Sequence, residues 1–391
     1  MSAMSIRAPL AQPRAAPRWR GFLGRPGGGG GTILTWHNGV GEEAGWLARR
    51  PRPNLAAHWL AIDGPMPLPG EYPLRSAGFR YWAMADALDR AAGVWRAVLG
   101  AGSGWAGDGW LRVQLGGPGA RGIYDRWAIR LGAAATPQTA CRALGVAVLD
   151  ALRPDLWDIA TPEADALHLI FAEATVQLVL RTGPEPDGSR SALALAGTIH
   201  AVAAPNPEQA QVNAAGLLVT AATRVPLAPN LVPQFVAELA VAAAVQSGPP
   251  LAAELRALFA RHGLLARTPA LDRYDPYEAE DGTELPLDRH SLPWVALAAP
   301  GLALPLLLCP ASEQPRLFAA APRPDGRPQE PRAPLVEAWR HADALMQAGL
   351  VEQPRIGRAQ RSAPGTNPLA THLLVDDGRT LRLVRQRMVV G

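Results

Sequence analysis

Residues 140–158 read "ACRALGVAVLDALRPDLWD", and the fold turns on this stretch. It has the pattern of an amphipathic helix closed by a proline, since Pro154 cannot continue one. The start is marked as well. Thr136 precedes Pro137, and a proline at the first helical position gives up an N–H that would have no partner there anyway. The same signal recurs at "TPEAD", so a second helix is expected over 162–181.

Before this pair of helices, "WLRVQLG" (110–116) and "GIYDRWAIRLG" (122–132) alternate apolar and polar residues as half-buried strands do. Earlier still, "RYWAMADALDRAAGVWRAVLG" (80–100) places Ala83, Ala87, Leu88, Ala91, Trp95 and Val98 along one helical face. After the pair, the stretches around 189–203, 208–224, 230–248 and 249–265 read as further helices. Strands therefore come first and a helical block follows, an α+β order. Five segments result: a flexible tail with a glycine linker (1–31), an N-terminal α+β lobe (32–136), a helical lobe (137–264), an irregular proline-rich segment (265–332) with one strand near 303–308, and a C-terminal helix and β-hairpin (333–391). In the last, "DDGR" supplies the turn.

Composition narrows the chemistry. With 391 residues and 48% hydrophobic content, the chain is long enough for a large core and is not of the disordered class. All 38 basic residues are arginine, which removes Schiff-base chemistry, a lysine general base and a Walker-type phosphate loop. The net charge is only +4, with the arginines scattered among acids; arginines cluster in the first fifty residues, but the folded part shows no aromatic–basic recognition pattern, so nucleic-acid binding is disfavoured. Cys141 and Cys309 are expected as buried thiols in a reducing compartment, a disulfide between them being the alternative. No signal pattern or membrane-length apolar run is seen: "VALAAPGLALPLLLC" (295–309) comes nearest and two prolines break it. Cytoplasmic residence is the expectation, with export by a dedicated system left open.

Three stretches carry a family likeness: "YDRWAIRLG" (124–132), "RALGVAVLDALRPDL" (142–156) and "LHLIFAE" (167–173). They resemble a bacterial branch of the thermolysin-like, or gluzincin, zinc metallopeptidases, in which a Y-D-R strand precedes helices reading H-E-L-G-H-A-x-L-D-A-L-R-P-x-L and F-H-E-x-F-G-D. The likeness covers residues 80–182 and keeps the spacing between the two helices without a gap. It implies a thermolysin-like peptidase fold with a small N-terminal sheet, a large helical C-terminal lobe and proline-rich extensions. In such a site two histidines one turn apart grip a zinc ion, and the glutamate between them polarises a bound water.

None of those ligands is present. Arg142 stands where the resemblance puts the first histidine, Ala143 where it puts the catalytic glutamate and Val146 where it puts the second histidine. Leu169 replaces the glutamate ligand and Glu173 the aspartate behind it. Glu208, in "NPEQAQVNAAG", matches the transition-state histidine. Valine and leucine offer no lone pair, alanine is no base, and Arg142 holds a permanent charge where a divalent ion would sit. The expectation is a pseudoenzyme with no catalytic residue, no metal and no cofactor. Arg142 and Glu173 are expected to form a replacement ion pair bridging the two helices, against the plainer alternative that Arg142 snorkels to solvent.

Elsewhere the signals are weak. His168, beside Leu169, reads as core packing; His37, His58, His200, His262, His290, His341 and His372 show no metal-like spacing. "RYDPYEAEDGTE" (273–284) lacks a calcium-loop pattern, the glycine run at 27–31 reads as linker, and no G-x-S-x-G elbow occurs. The function expected is therefore structural or protein-binding: the partner is a larger assembly, an active peptidase relative, or a peptide added as a strand in the old cleft. The competing expectations are a hydrolase with relocated metal or acid/base chemistry, for example around His200 and Asp150, and an effector or conflict protein in which the dead domain only carries the tail. Exposed members of the tryptophan set (Trp36, Trp46, Trp59, Trp82, Trp95, Trp105 and Trp110 in the first 110 residues) would serve as interface anchors.

Overall fold

The computed structural model describes residues 19–26, 32–38, 53–68, 71–72, 76–99, 104–106, 109–117, 119–159, 161–180, 194–195, 197–199, 207–225, 231–264, 295–297, 306–308, 332–352, 370–376 and 381–390. The first half runs through strands β1 (Trp19–Pro26), β2 (Thr32–Asn38), β3 (Leu60–Ile62) and β4 (Glu71–Tyr72), helix α1 (Ala77–Leu99), and strands β5 (Leu111–Gly117), β6 (Gly122–Tyr124) and β7 (Ala128–Gly132). Helices α2 (Pro137–Leu152), α3 (Pro162–Leu180), α4 (Pro207–Arg224), α5 (Leu231–Ser247) and α6 (Pro249–Arg261) follow. The chain then forms β8 (Val295–Leu297), β9 (Leu306–Leu308), α7 (Arg332–Gln347), β10 (Val351–Glu352), β11 (His372–Asp376), β12 (Leu381–Arg385) and β13 (Met388–Val390). It is a mixed helix-and-strand protein. No described helix is long and apolar enough to cross a membrane.

The main core lies where a five-stranded sheet, in the order β13-β6-β7-β5-β3, meets α1, α2 and α3. Strands β3, β5 and β7 are parallel, whereas β6 and β13 run antiparallel to their neighbours. Alternation along β5 puts Leu111 and Val113 inside and Arg112 and Gln114 outside. Residues 122–132, expected as one strand, are two. Arg126 takes a left-handed φ of 70°, and the Asp125 carboxylate accepts hydrogen bonds from the backbone N–H of Trp127 (3.2 Å) and Ala128 (2.8 Å). That side-chain-to-backbone turn reverses the chain, which alternation does not foresee.

Helix α2 departs from expectation in another way. It was expected to be amphipathic, yet Thr139 through Asp150 are all buried. Sheet and helices enclose it on every side, and such a helix keeps no polar stripe. Its start is a capping box: the Thr136 hydroxyl accepts from the Thr139 N–H, and Thr139 Oγ1 accepts from the Thr136 N–H. At its far end Arg153 grips Asp155 and donates to the carbonyls of Ala222 (2.9 Å) and Val225 (2.7 Å), so the α2 stop also fastens the end of α4.

Close passage of α2 and α3 depends on Gly145. A Cβ there would stand 2.3 Å from the Phe171 carbonyl oxygen and 2.5 Å from Thr175 Oγ1. Backbone cannot yield as a side-chain tip does, so Gly145→Ala must push the helices apart. The expected loss is about 1–3 kcal/mol, the usual range for overpacking, read as a lowered urea midpoint with an unchanged slope. A midpoint equal to that of the parent would show that the crossing is looser than this.

Two segment assignments change. Trp19–Pro26, expected within a flexible tail, form β1 and pair antiparallel with β2, so the glycine run joins two strands. The C-terminal hairpin forms as β11 and β12, inside a second five-stranded sheet, but the chain does not end there. Its last strand, β13, pairs with β6 and completes the sheet of the N-terminal lobe. Strand β9 falls within the stretch expected near 303–308; β8, its antiparallel neighbour, was not foreseen.

Candidate functional site

Arg142 leaves α2 at the corner where it meets α3. Its Nε donates to Glu173 Oε1 at 2.6 Å and its Nη2 reaches Oε2 at 3.5 Å. Arg142 is 5% exposed. A forked guanidinium–carboxylate contact of this kind is directional as well as electrostatic, and it ties the two central helices together. The alternative in which Arg142 points to solvent does not describe this geometry.

The remaining positions from the sequence lie on α2, α3 and α4. Ala143 and Val146 are fully buried, one helical turn apart. Leu169 lies one turn before Glu173 on α3 and is 37% exposed, an apolar side chain at the rim of the corner. Glu208 falls in the first turn of α4, and its side chain lies outside the described residues. The structure thus joins Arg142 to Glu173, with Ala143 and Val146 buried on the helix that carries Arg142.

A second constellation holds the scaffold. Asp150, fully buried, accepts from Tyr124 Oη at 2.8 Å and from Arg126 Nη2 at 3.1 Å and Nε at 3.2 Å. Burial, then the Asp150 charge and its hydrogen bond, hold the Tyr124 phenol well above its ordinary 10. Arg126 also donates to the Pro154 carbonyl at 2.9 Å. The Y-D-R strand and the L-D-A-L-R-P helix end are therefore one interlocked unit. These bonds hold β6 against α2. A relocated acid/base site at Asp150 finds that carboxylate already engaged, and its suggested partner His200 lies outside the described residues.

His168 is buried, and its Nδ1–H donates to the Ala164 carbonyl at 2.8 Å. Since a carbonyl only accepts, the other nitrogen, Nε2, carries the lone pair; it has no hydrogen-bond partner among the described residues. Burial first, then the Arg385 charge, lower the imidazole from 6.5 to about 3. The ring packs edge-on to Trp157 with centroids 5.8 Å apart. Trp157 is also flanked by Arg126 (5.4 Å) and Arg385 (5.6 Å), and its Nε1–H donates to the Arg385 carbonyl at 2.9 Å.

Arg385 belongs to a cluster that the sequence reading missed. Its Nη2 pairs with Asp165 and reaches the Ile159 carbonyl at 3.3 Å, while Nη1 reaches the Leu156 carbonyl at 3.4 Å. His341 Nε2 lies 3.4 Å from Asp165 Oδ2, and the His341 and His372 rings meet edge to face at 6.3 Å. Burial pushes the Asp165 carboxyl up, but Arg385, with help from His341, outweighs it and holds the group well below the usual carboxylate range. No local spacing announces contacts more than two hundred residues apart.

Among the described residues no group of three or more His, Cys, Asp or Glu is placed to hold a metal ion. The acidic stretch 273–284 and Cys309 lie outside the described residues. Cys141 is a free, buried thiol pushed up to about 12 by burial, which makes it a poor nucleophile. Of the tryptophans, Trp82, Trp95 and Trp105 are core, whereas Trp59, Trp110 and Trp127 are exposed. A scan of protein-family models finds no match to this chain, and a search of curated proteins finds none either.

Proposed function

We propose that this chain is a catalytically inactive protein on a thermolysin-like (gluzincin) peptidase fold, working as a structural or protein-binding component. The observation that carries the reading is the Arg142–Glu173 contact at 2.6 Å, where the resemblance places a zinc ligand and its supporting acid. A guanidinium never loses its proton in a protein, so it repels a divalent ion from that corner at any working pH. Ala143, Val146 and Leu169 supply neither base nor lone pair. What remains is a rigid helix pair with a salt-bridged centre, a scaffold suited to presenting surfaces to a partner.

Two measurements on the purified full chain test this. Metal analysis is expected to return no stoichiometric zinc, and unfolded protein substrates are expected to stay intact. Stoichiometric zinc lost on His341→Ala or His372→Ala would favour a hydrolase with relocated chemistry instead. A gain-of-function arm tests the fold assignment: Arg142→His, Ala143→Glu, Val146→His and Leu169→Glu together restore the motif's ligand set. If the backbone is that of a gluzincin, the fourfold variant takes up about one zinc per chain, as a site with two histidines and a glutamate does. A folded variant that takes up none sinks the assignment.

A further inference from the structure

Strand β6 has β7 on one side; on the other, β13 pairs Met388 with Tyr124, Val389 with Ile123 and Val390 with Gly122. Met388 and Val390 are buried in the main core and Val389 is half-buried. The slot they fill lies over α2. A Cβ on Gly122 would stand 2.9 Å from Thr139 Cγ2 and 3.1 Å from Val390 Cγ2. At the other end of β6, Tyr124 reaches Asp150. Thr139, Ala143, Val146 and Asp150 recur at helical steps on one face, so β6 runs along the face that carries the degenerate positions. Arg142 stands at the flank of that face, toward α3.

We infer that this edge is a strand-accepting site whose resident occupant is the chain's own Met388–Val390. An extended segment of another protein, with apolar side chains at alternate positions, takes the same place when β13 leaves. The resident strand defines the chemistry: backbone pairing to Gly122–Tyr124 and two apolar side chains in the slot. At three residues β13 has few ladder bonds to lose, and a short strand at the edge of a sheet opens locally below the cost of global unfolding. Its anchor lies upstream, in the grip of Asp165, Leu156, Ile159 and Trp157 on Arg385, so the strand can leave while the chain stays tethered. Vacated, the edge offers unpaired N–H and C=O groups beside an apolar slot, the features that capture strands. This deepens the binding role proposed above and rests on it only for the use of the edge by another protein.

The test uses the full chain and a fluorescent peptide of its own last six residues, QRMVVG, with QRDVDG as control. Met388→Asp with Val390→Asp ejects the resident strand. The opened variant is expected to bind QRMVVG at least tenfold more tightly than the parent and to ignore the control. Equal binding by both forms, or none by an opened variant that melts cooperatively, overturns the inference. Hydrogen exchange on the parent keeps the question decidable if that variant fails to fold. The amides of 122–124 and 388–390 are then expected to exchange at least tenfold faster than those in the middle of α2, and equal protection overturns the inference. Failure here with zinc and hydrolysis also absent leaves the inactive-scaffold reading in place; capture by a chain that proves hydrolytic leaves only this one.

Discussion

Acidification from pH 6 to pH 4 is expected to remove about 5 kcal/mol of folding stability, an effect dominated by two histidines. His168 and His372 are each held from 6.5 down to about 3. For both, burial is the leading cause and the Arg385 charge the next. Asp165 opposes this at both rings; Arg126 adds to it at His168 and His341 at His372. The sign follows from proton counting. Between pH 6.5 and about 3 the unfolded chain binds a proton at each ring that the folded chain refuses, so stability rises with pH across that window. Each withheld proton is worth about 1.4 kcal/mol per pH unit, and two protons over two units give the figure above. Asp165 adds little between pH 6 and 4: its stabilising charge is present in full above the ordinary carboxylate value and is lost as pH falls from there through its own depressed value. Urea midpoints measured through the window check the prediction. His168→Gln and His372→Gln should each flatten the slope by about one proton. A parent whose midpoint is constant between pH 6 and 4 would contradict it.

Glu173→Ala is expected to destabilise the fold by about 3–5 kcal/mol, because it takes the carboxylate from a guanidinium held out of water. Replacing both partners is a different matter. Arg142→Met with Glu173→Leu removes a buried charge and its half-buried partner together and fills the corner with apolar volume, which is expected to be neutral or stabilising by about 1–4 kcal/mol. The contrast between single and double variants is the diagnostic, since a solvent-exposed pair would give about 0–1 kcal/mol for either. A Glu173→Ala loss of only about 0–1 kcal/mol would place the pair in water. If the apolar double variant is the more stable, the ion pair is kept for specificity or for a surface it presents rather than for stability.

The helices were legible. Thr136-Pro137 and Thr161-Pro162 mark two starts where the structure has them, and Pro154 marks the stop, because these signals act within one turn of backbone. The Arg142–Glu173 contact was legible in part, through a resemblance that set a long base and a long acid at matched positions of two helices. The sheet was read less well. Local alternation predicts the strand character of β5 and β7, but not the reversal at Arg126, which depends on one Asp125 side chain accepting two backbone N–H groups.

The amino-acid order by itself determined where helices begin and end, that lysine chemistry has no residue to perform it, and which two charges the α2 and α3 stretches carry. Those properties are local, set by side-chain type and by hydrogen bonds across a few residues. Only the tertiary structure decided that α2 is buried on all sides, that Asp150 accepts from Tyr124 while Arg153 donates to the end of α4, and that β13 returns to the sheet beside β6. These depend on contacts between residues far apart in the chain, where burial and pairing are shared among several elements and no single stretch carries the signal.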